Sequence, residues 1–579
     1  MTEPLQTDST RISSREERYW LLGLLFVSLT LYVVALNWGL PAYRSWSPDD
    51  MTPVGVLRTA QQKFMVLPDY PPVHYALLAL AYAPYIAFLL VTGGLSNPMP
   101  DFPYGLTNPL EALTVLIVLG RLISAAMGVG IVYLVYLATK TFVADARVAL
   151  LAGAAAAFNV QLVLFAHLGN VDVPWVFWLA FAFLWFARLV RDWKPHQAVL
   201  LAIGAALSVG TKEVAYAPIV GMGVVLGFVW LRQRRAFKPL AAGLVAFLIA
   251  YAIANNVILG WEGYSERLMG RIGGPGQWLA GPKWENWTRR PDPGLATQVR
   301  LAKTLMTNFI TSAGWPLFVA ILIGIPLAWR RNKTLLFSSM VPAFLYYAGV
   351  VPIQRDVNPR YILPWVVLLA PLAGVALARI LDSRLRPLAK RAALGAIVGS
   401  SLLWGLRMDW ELLTDARYDA EAYLKSAVPA GSRVEVYSYL MYLPRVQEAG
   451  FPTCRISPSD SPELLTSEAL AVRAPDVILL SSNYFSRFGP PLDAYFDSLV
   501  TERLGYRSTV FRGGGPKWPG WSGNWRVNPT IWVLERNQQR DRDTIPGAAA
   551  SESCPGTVFS RASSGPRPSS DRGTGLRTP

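Results

Sequence analysis

The chain is a succession of long apolar stretches closed by short polar loops, and nothing else constrains its fold as strongly. Many of these stretches reach the roughly 20 apolar residues that a helix needs to cross a bilayer. Expected spans lie at about 19–40, 112–138, 148–168, 173–190, 197–211, 214–231, 239–259, 305–328, 334–352, 361–379 and 391–407. Only 16% of the 579 residues are charged, against about 25% in soluble domains. A soluble globular protein is therefore excluded. Inside lipid each backbone polar group needs a partner within the protein, which favours helices. The expected fold is mainly α and polytopic, with about eleven spans.

The net charge is +16, which could suggest nucleic acid. Its distribution argues otherwise. The positive residues gather in the loops Lys140 to Arg147, Arg188 to Lys194, Arg232 to Lys238, Arg330 to Lys333 and Arg379 to Arg391. With Arg11, Arg15 and Arg18 inside, alternation puts all five loops on the cytoplasmic side, as the positive-inside rule requires. The charge sets topology, and no nucleic-acid partner is expected. This alternation requires that Val73 to Val91 does not cross. Pro84 at its centre fits a broken segment, so an in-plane or re-entrant helix on the outer side is expected. The alternative pairs it with a cryptic crossing near Gly93 to Pro109.

The start of the chain has no cleavable signal pattern, because its first apolar run is long enough to span. Residues 1–18 are expected to be a cytoplasmic segment and 19–408 the membrane domain. From Asp409 the composition becomes that of a soluble domain. "SRVEVYSY", "PDVILLSS" and "TIWVLER" are strand-like, while "ARYDAEAYLKSAV" and "LDAYFDSLVTERLG" have helical periodicity. Residues 409–536 are expected to form an extracytoplasmic α/β domain. Residues 537–579 have the composition of a disordered tail. The loop 260–304 carries Trp261, Trp278, Trp284 and Trp287, which suit interfacial anchors or a cover over a site. Cys454 and Cys554 are the only cysteines and do not make a disulfide framework. His74, His167 and His196 lack metal-site spacing, so no metal site is expected.

Charges at membrane depth cost roughly 2.5–3.5 kcal/mol each on insertion scales and point to function. Asp49-Asp50 follows the first apolar run, where headgroups, water and a lipid-linked substrate meet. Adjacent carboxylates point differently, so one suffices for a site. Asp172 in "GNVDVPW" falls on the same side; its plainer role is to cap the next helix. Lys212 and Glu213 interrupt "LSVGTKEVAYAP", where they could simply neutralise each other. Arg360 precedes "YILPWVVLLAP", where an interfacial anchor would also sit. Arg121 lies within a span and is expected to face a carboxylate or carbonyl. Together the carboxylates can handle a hydroxyl and the cations can hold an anion.

The ordered motifs "SPDD", "YPPVHYALLAL", "GRLISAAMGVGIVYLVYLATKTF", "HLGNVDVPWVFWLAF", "GTKEVAYAP" and "RYILPWVVLLAPLAG" carry a resemblance. Over about residues 19–380 the chain resembles the membrane-embedded GT-C glycosyltransferases, of the protein O-mannosyltransferase-like and aminoarabinose lipid A transferase kinds. That resemblance implies an inverting sugar transfer from a polyprenyl-phosphate donor to an extracytoplasmic hydroxyl. It maps the catalytic acidic residue of the first outer loop onto Asp49. The usual Asp-Glu is Asp-Asp here, which leaves Asp50 as a rival. The second acidic residue maps to Asp172, and the phosphate-side cations map to Lys212 and Arg360. His74, Arg121 and Glu213 join the substrate-binding set. Expected partners are the lipid-linked donor, membrane lipids and a glycan, lipid or protein acceptor. No cofactor is expected, and the sequence does not decide on a divalent metal.

Two rivals belong to other classes. A multi-span transporter or lipid flippase would show inverted repeats and midplane charges, neither of which is apparent. A non-enzymatic membrane protein with a partner-binding outer domain would not need charges collected on one side. The expected place is the cell membrane, with the site and C-terminal domain extracytoplasmic. Sugar, acceptor and lipid chain are not encoded in any motif found.

Overall fold

The computed structural model describes residues 13–47, 49–64, 70–265, 294–354, 357–437, 439–456, 461–483, 492–513 and 527–537. Trp278, Trp284, Trp287, Cys554 and the tail beyond 537 lie outside the described residues. The chain divides into two compact units. The first comprises Met1–Pro84, Leu113–Asp419 and Arg512–Thr530; the second comprises Tyr85–Ala112, Ala420–Phe511 and Ile531–Pro579.

The helices are α1 (Ser14–Val33), α2 (Pro53–Gln61), α3 (Pro72–Val91), α4 (Pro109–Val143), α5 (Ala146–Ala157), α6 (Val160–Ala166) and α7 (Asp172–Asp192). Next come α8 (Pro195–Val209), α9 (Tyr216–Gln233), α10 (Lys238–Ala254), α11 (Leu295–Ala313), α12 (Trp315–Arg331) and α13 (Lys333–Gln354). Then follow α14 (Leu363–Leu381) and α15 (Pro387–Leu413). Local chemistry sets their starts. Ser13 and Glu16 close a capping box on α1, which satisfies two otherwise orphaned donors. Asn159 caps α6 through Gln161 and Leu162, and its Oδ1 also accepts from the Ser312 hydroxyl at 2.7 Å. Helix α14 runs through the core, with most of its side chains buried. Helix α5 packs closely on it at Gly374. A Cβ there would lie 2.4 Å from the Val148 carbonyl oxygen, so only glycine permits this approach.

Among the described residues, six helices are long and apolar enough to cross a membrane, and eight if each bent pair counts as one span. The bent pairs are α5 with α6, at 62°, and α11 with α12, at 110°. By this measure fewer helices qualify than the eleven or so expected spans. Helix α8 has 15 residues and α10 has 17. At 1.5 Å per residue they extend roughly 23–26 Å, short of a hydrocarbon core of about 30 Å. An apolar window in a sequence does not reveal where a helix ends or bends. The Val73 to Val91 stretch is also corrected in one respect. It is one continuous helix through Pro84, not a broken one, and by length and composition it qualifies as a span.

The basic connections are tied together at one end of the first unit. Lys140 and the Tyr136 hydroxyl both meet Glu17 of α1. Arg147 pairs with Asp382 at 3.0 Å. The Asn332 amide donates to the Phe142 carbonyl at 2.8 Å, and Trp193 Nε1 donates to Ala236 at 2.9 Å.

The second unit holds a five-stranded sheet of β1 (Val434–Val436), β2 (Thr453–Arg455), β3 (Val477–Ser481), β4 (Tyr506–Phe511) and β5 (Ile531–Arg536). The order is β2-β1-β3-β5-β4. The β1–β2 and β1–β3 pairs are parallel, and β5 pairs antiparallel with both β3 and β4. Helices α16 (Ala416–Ala427), α17 (Ser467–Arg473) and α18 (Leu492–Val500) belong to this region of the chain. The fully buried β3 is the run "VILLS", read from its apolar content. The short β2 and the half-exposed β4 carry weaker patterns, and the sequence reading missed both.

Candidate active site

The acidic loop between α1 and α2 lies against the turn that precedes α7. The Met51 N–H donates to the Gly169 carbonyl at 3.0 Å. In that turn Asn170 Oδ1 accepts from the Asp172 N–H at 2.9 Å, and its Nδ2 donates to Asp172 Oδ2 at 3.3 Å. Asp172 is thus the first residue of α7 and not its cap, a position that Val171 takes without a side-chain bond. A carboxylate in the first turn is favoured by the positive end of the helix dipole. Asp172 is also only 1% exposed, so it needs counter-charges.

Two cations supply them. Lys212 follows the end of α8, where its N–H still bonds Ser208 O at 3.0 Å. Its Nζ donates to Asp172 Oδ1 at 2.5 Å and lies 5.8 Å from the Tyr70 ring centroid. Lys212 thus pairs with Asp172, and the Glu213 charge beside it also favours the ammonium. Glu213 begins the half-turn Glu213–Ala215, half-buried. Burial pushes the Lys212 ammonium below its ordinary range, and the Asp172 carboxylate pulls it back up. Arg360 sits in the 3-10 turn Pro359–Ile362, where the Asn358 side chain accepts from its N–H at 3.3 Å. Its Nη1 is 2.9 Å from Asp49 Oδ2 and 3.5 Å from Asp172 Oδ2. That geometry replaces the interfacial-anchor role. Residues from four distant parts of the chain form one row: Asp49, Arg360, Asp172, Lys212.

Asp50 points elsewhere. Its Oδ2 lies 3.5 Å from Nη2 of Arg121 on α4. Arg121 is fully buried. Its Nη1 donates to the Leu36 carbonyl at 2.5 Å and the Trp38 carbonyl at 2.8 Å, and its Nη2 to Ser45 Oγ at 2.8 Å. Burial raises the Asp50 carboxyl above its ordinary range, against the pull of Arg121. Asp49 therefore faces the cation row, while Asp50 helps to close the loop on Arg121. Arg121→Met is expected to destabilise the protein by about 3–5 kcal/mol, because it strands a buried carboxyl and two carbonyls. Asp50→Asn keeps Arg121's three oxygen partners and should cost far less. Thermal unfolding of both variants in detergent checks the order.

His74 stands near the start of α3, fully buried, with neither ring nitrogen hydrogen-bonded. The Val73 N–H donates to Gly210 O at 3.0 Å, which sets this part of the chain two residues before Lys212. Among the described residues no group of three or more His, Cys, Asp or Glu side chains gathers as a metal site would. The sequence reading overlooked Asn170, which bonds Asp172 through both its amide oxygen and its amide nitrogen. It also overlooked Tyr70, which carries no local signal.

The chain is similar to ArnT from Cupriavidus metallidurans bound to undecaprenyl phosphate, with a TM-score of 0.46 and 14% identity, over 89% of this chain and 98% of that one. It is similar to the Archaeoglobus fulgidus oligosaccharyltransferase in the apo form, with a TM-score of 0.44 and 15% identity, over 88% and 76% of the two chains. Arabinofuranosyltransferase AftD from Mycobacteria gives a TM-score of 0.33 and 14% identity, over 92% of this chain and 40% of that one. No protein-family model and no curated protein sequence matches. At these distances the functional argument rests on the chain's own residues.

Proposed function

We propose that this protein is an integral-membrane glycosyltransferase that moves a sugar from a polyprenyl-phosphate donor to an acceptor hydroxyl. The observation that carries the reading is the row Asp49, Arg360, Asp172, Lys212, in which Arg360 joins the two carboxylates at 2.9 and 3.5 Å. Asp49 acts as the base. The acceptor oxygen attacks the anomeric carbon, its proton passes to the Asp49 carboxylate, and the bond from that carbon to the phosphate oxygen breaks with inversion. The electron pair leaves on the phosphate, which Arg360 and Lys212 stabilise. No acid needs to protonate this leaving group, unlike in glycoside hydrolysis. Asp172 holds both cations in place while the site is empty. His74, with two unpartnered ring nitrogens, is assigned to substrate contact, as is Glu213. Arg121 serves the site through the acidic loop.

Charges carried by the connections between helices, as at Asp49, Lys212 and Arg360, fit a transferase better than a transporter, whose charges lie at the midplane. The decisive experiment is an assay with purified protein and radiolabelled undecaprenyl-phosphate hexoses and pentoses. Acceptors are supplied as cell-envelope extract. Transfer that depends on Asp49 supports the reading; binding of donor without turnover, or its passage across a vesicle membrane, overturns it. Mass spectrometry of glycans and lipids from a deletion strain identifies the acceptor.

The site and the C-terminal domain are placed on the extracytoplasmic side. A cysteine introduced for Leu440 should react with an impermeant maleimide in intact cells. Labelling only after permeabilisation reverses this topology.

A further inference from the structure

We infer that Arg417 is a positioning residue for the acidic loop, an inference that rests on the transferase reading above. Arg417 lies in Asp415–Tyr418, where α15 gives way to α16, and is fully buried. Its Nε and Nη2 form a two-pronged pair with Asp415, at 2.9 and 2.7 Å. A buried ion pair is tolerated when the remaining donors and lone pairs find partners. Here several of those partners belong to the loop that carries Asp49. Trp38 Nε1 donates to Asp415 Oδ2 at 3.1 Å, and the Asn528 N–H donates to the same oxygen at 2.8 Å. The Gly39 N–H donates to the Tyr418 hydroxyl at 2.8 Å. The guanidinium lies 4.2 Å from the Trp46 ring centroid and 5.1 Å from that of Trp38, within cation–π range of both. The Trp46 ring in turn meets Tyr418 at 4.8 Å.

The packing is tight enough to dictate a glycine. Gly39 has a φ of +71°, and a Cβ on it would lie 2.7 Å from the Trp46 ring. Any side chain at 39 would therefore force the loop away from Arg417. The loop is held a second time by Arg121, through the carbonyls of Leu36 and Trp38. Neither arginine belongs to the charged row, yet together they set the backbone from which Asp49 emerges.

The same stretch of chain also reaches the second carboxylate. Asp409, on the last turns of α15, faces His167 Nε2 at 3.6 Å. The other ring nitrogen, Nδ1, lies 2.8 Å from the Val163 carbonyl. His167 opens the turn that ends at Asp172. Residues 409–418 therefore touch both loops whose carboxylates flank Arg360. A misplacement of about 1 Å in a reacting group can cost a hundredfold in rate, so this frame bears on turnover without touching substrate.

The test compares Arg417→Lys with wild type. Lysine keeps the charge beside Asp415 but lacks the planar fork and its stacking face. The expected result is a fall in kcat of roughly tenfold or more. The dissociation constant for undecaprenyl phosphate should stay within about twofold, since the donor cations are untouched. Hydrogen exchange of the amides from 37 to 51 should rise, with that of α7 unchanged. Trp38→Phe, which removes only the indole donor to Asp415, should show the same pattern more weakly, and it serves if the lysine variant does not fold. A kcat within twofold of wild type overturns the assignment. So does loss of turnover, donor affinity and melting temperature in proportion, or unchanged exchange in the loop. If wild type itself transfers no sugar, the transferase reading fails, and the exchange measurement alone then decides whether Arg417 holds the loop.

Discussion

Asp49→Asn should abolish sugar transfer while the protein still inserts and folds. The amide keeps the volume of the carboxylate, so packing around the loop should hardly change. It also keeps an oxygen for Arg360, which now sits 2.9 Å from Asp49 Oδ2. What it loses is the ability to accept the proton of the attacking hydroxyl. General-base catalysis contributes roughly 10²–10⁴ in rate, so kcat should fall at least a hundredfold with donor affinity little altered. Asp50→Asn is the matched control, since Asp50 faces Arg121 and not the cation row. Turnover and donor titrations on both purified variants check this. If Asp50→Asn loses activity and Asp49→Asn keeps it, the base is one residue further along.

The second large effect is expected at the cations. Removing Lys212 or Arg360 should weaken donor binding more than acceptor binding. A hydrogen bond to a charged group is worth roughly 1.5–3 kcal/mol, so either alanine variant should raise the donor dissociation constant about tenfold or more. Lys212→Arg should rescue only partly, because a planar fork does not fill the place of a point charge. The competing account makes Lys212 a counter-ion for Asp172 and nothing else, given their 2.5 Å contact. Under that account Lys212→Ala with Asp172→Asn restores donor affinity, since no buried charge is left unpaired. Titrations of undecaprenyl phosphate against the single and double variants separate the two. Full recovery in the double variant would leave Arg360 as the sole phosphate ligand.

These expectations combine information of two kinds. The helical membrane character was legible in the chain, because bilayer thickness acts on composition over some twenty residues at a time. The basic loops were legible for the same reason: topology depends on charge counted locally, not on contacts. Of the sheet, the strands Val434–Val436, Val477–Ser481 and Ile531–Arg536 fall within their apolar runs. The strands Thr453–Arg455 and Tyr506–Phe511 do not announce themselves, since neither is fully buried and the sheet, not the segment, makes them strands.

The charged residues Asp49, Asp172, Lys212 and Arg360 were each conspicuous in sequence, for a charge beside an apolar run is expensive. Their pairing was not. Lys212 stands next to Glu213 in the chain but reaches Asp172, 40 residues away. Asp49 and Asp50 are neighbours, yet one turns to Arg360 and the other to Arg121. The roles of Arg417 and Asp415 were invisible, because their partners Trp38 and Trp46 lie more than 350 residues earlier. By itself the sequence determined that this chain is helical, membrane-embedded and charged at a few points beside its apolar runs, since solvent and lipid act on each segment separately. Only the tertiary structure decided which carboxylate faces which cation, because ion pairing falls off within a few ångströms and depends on where distant segments meet.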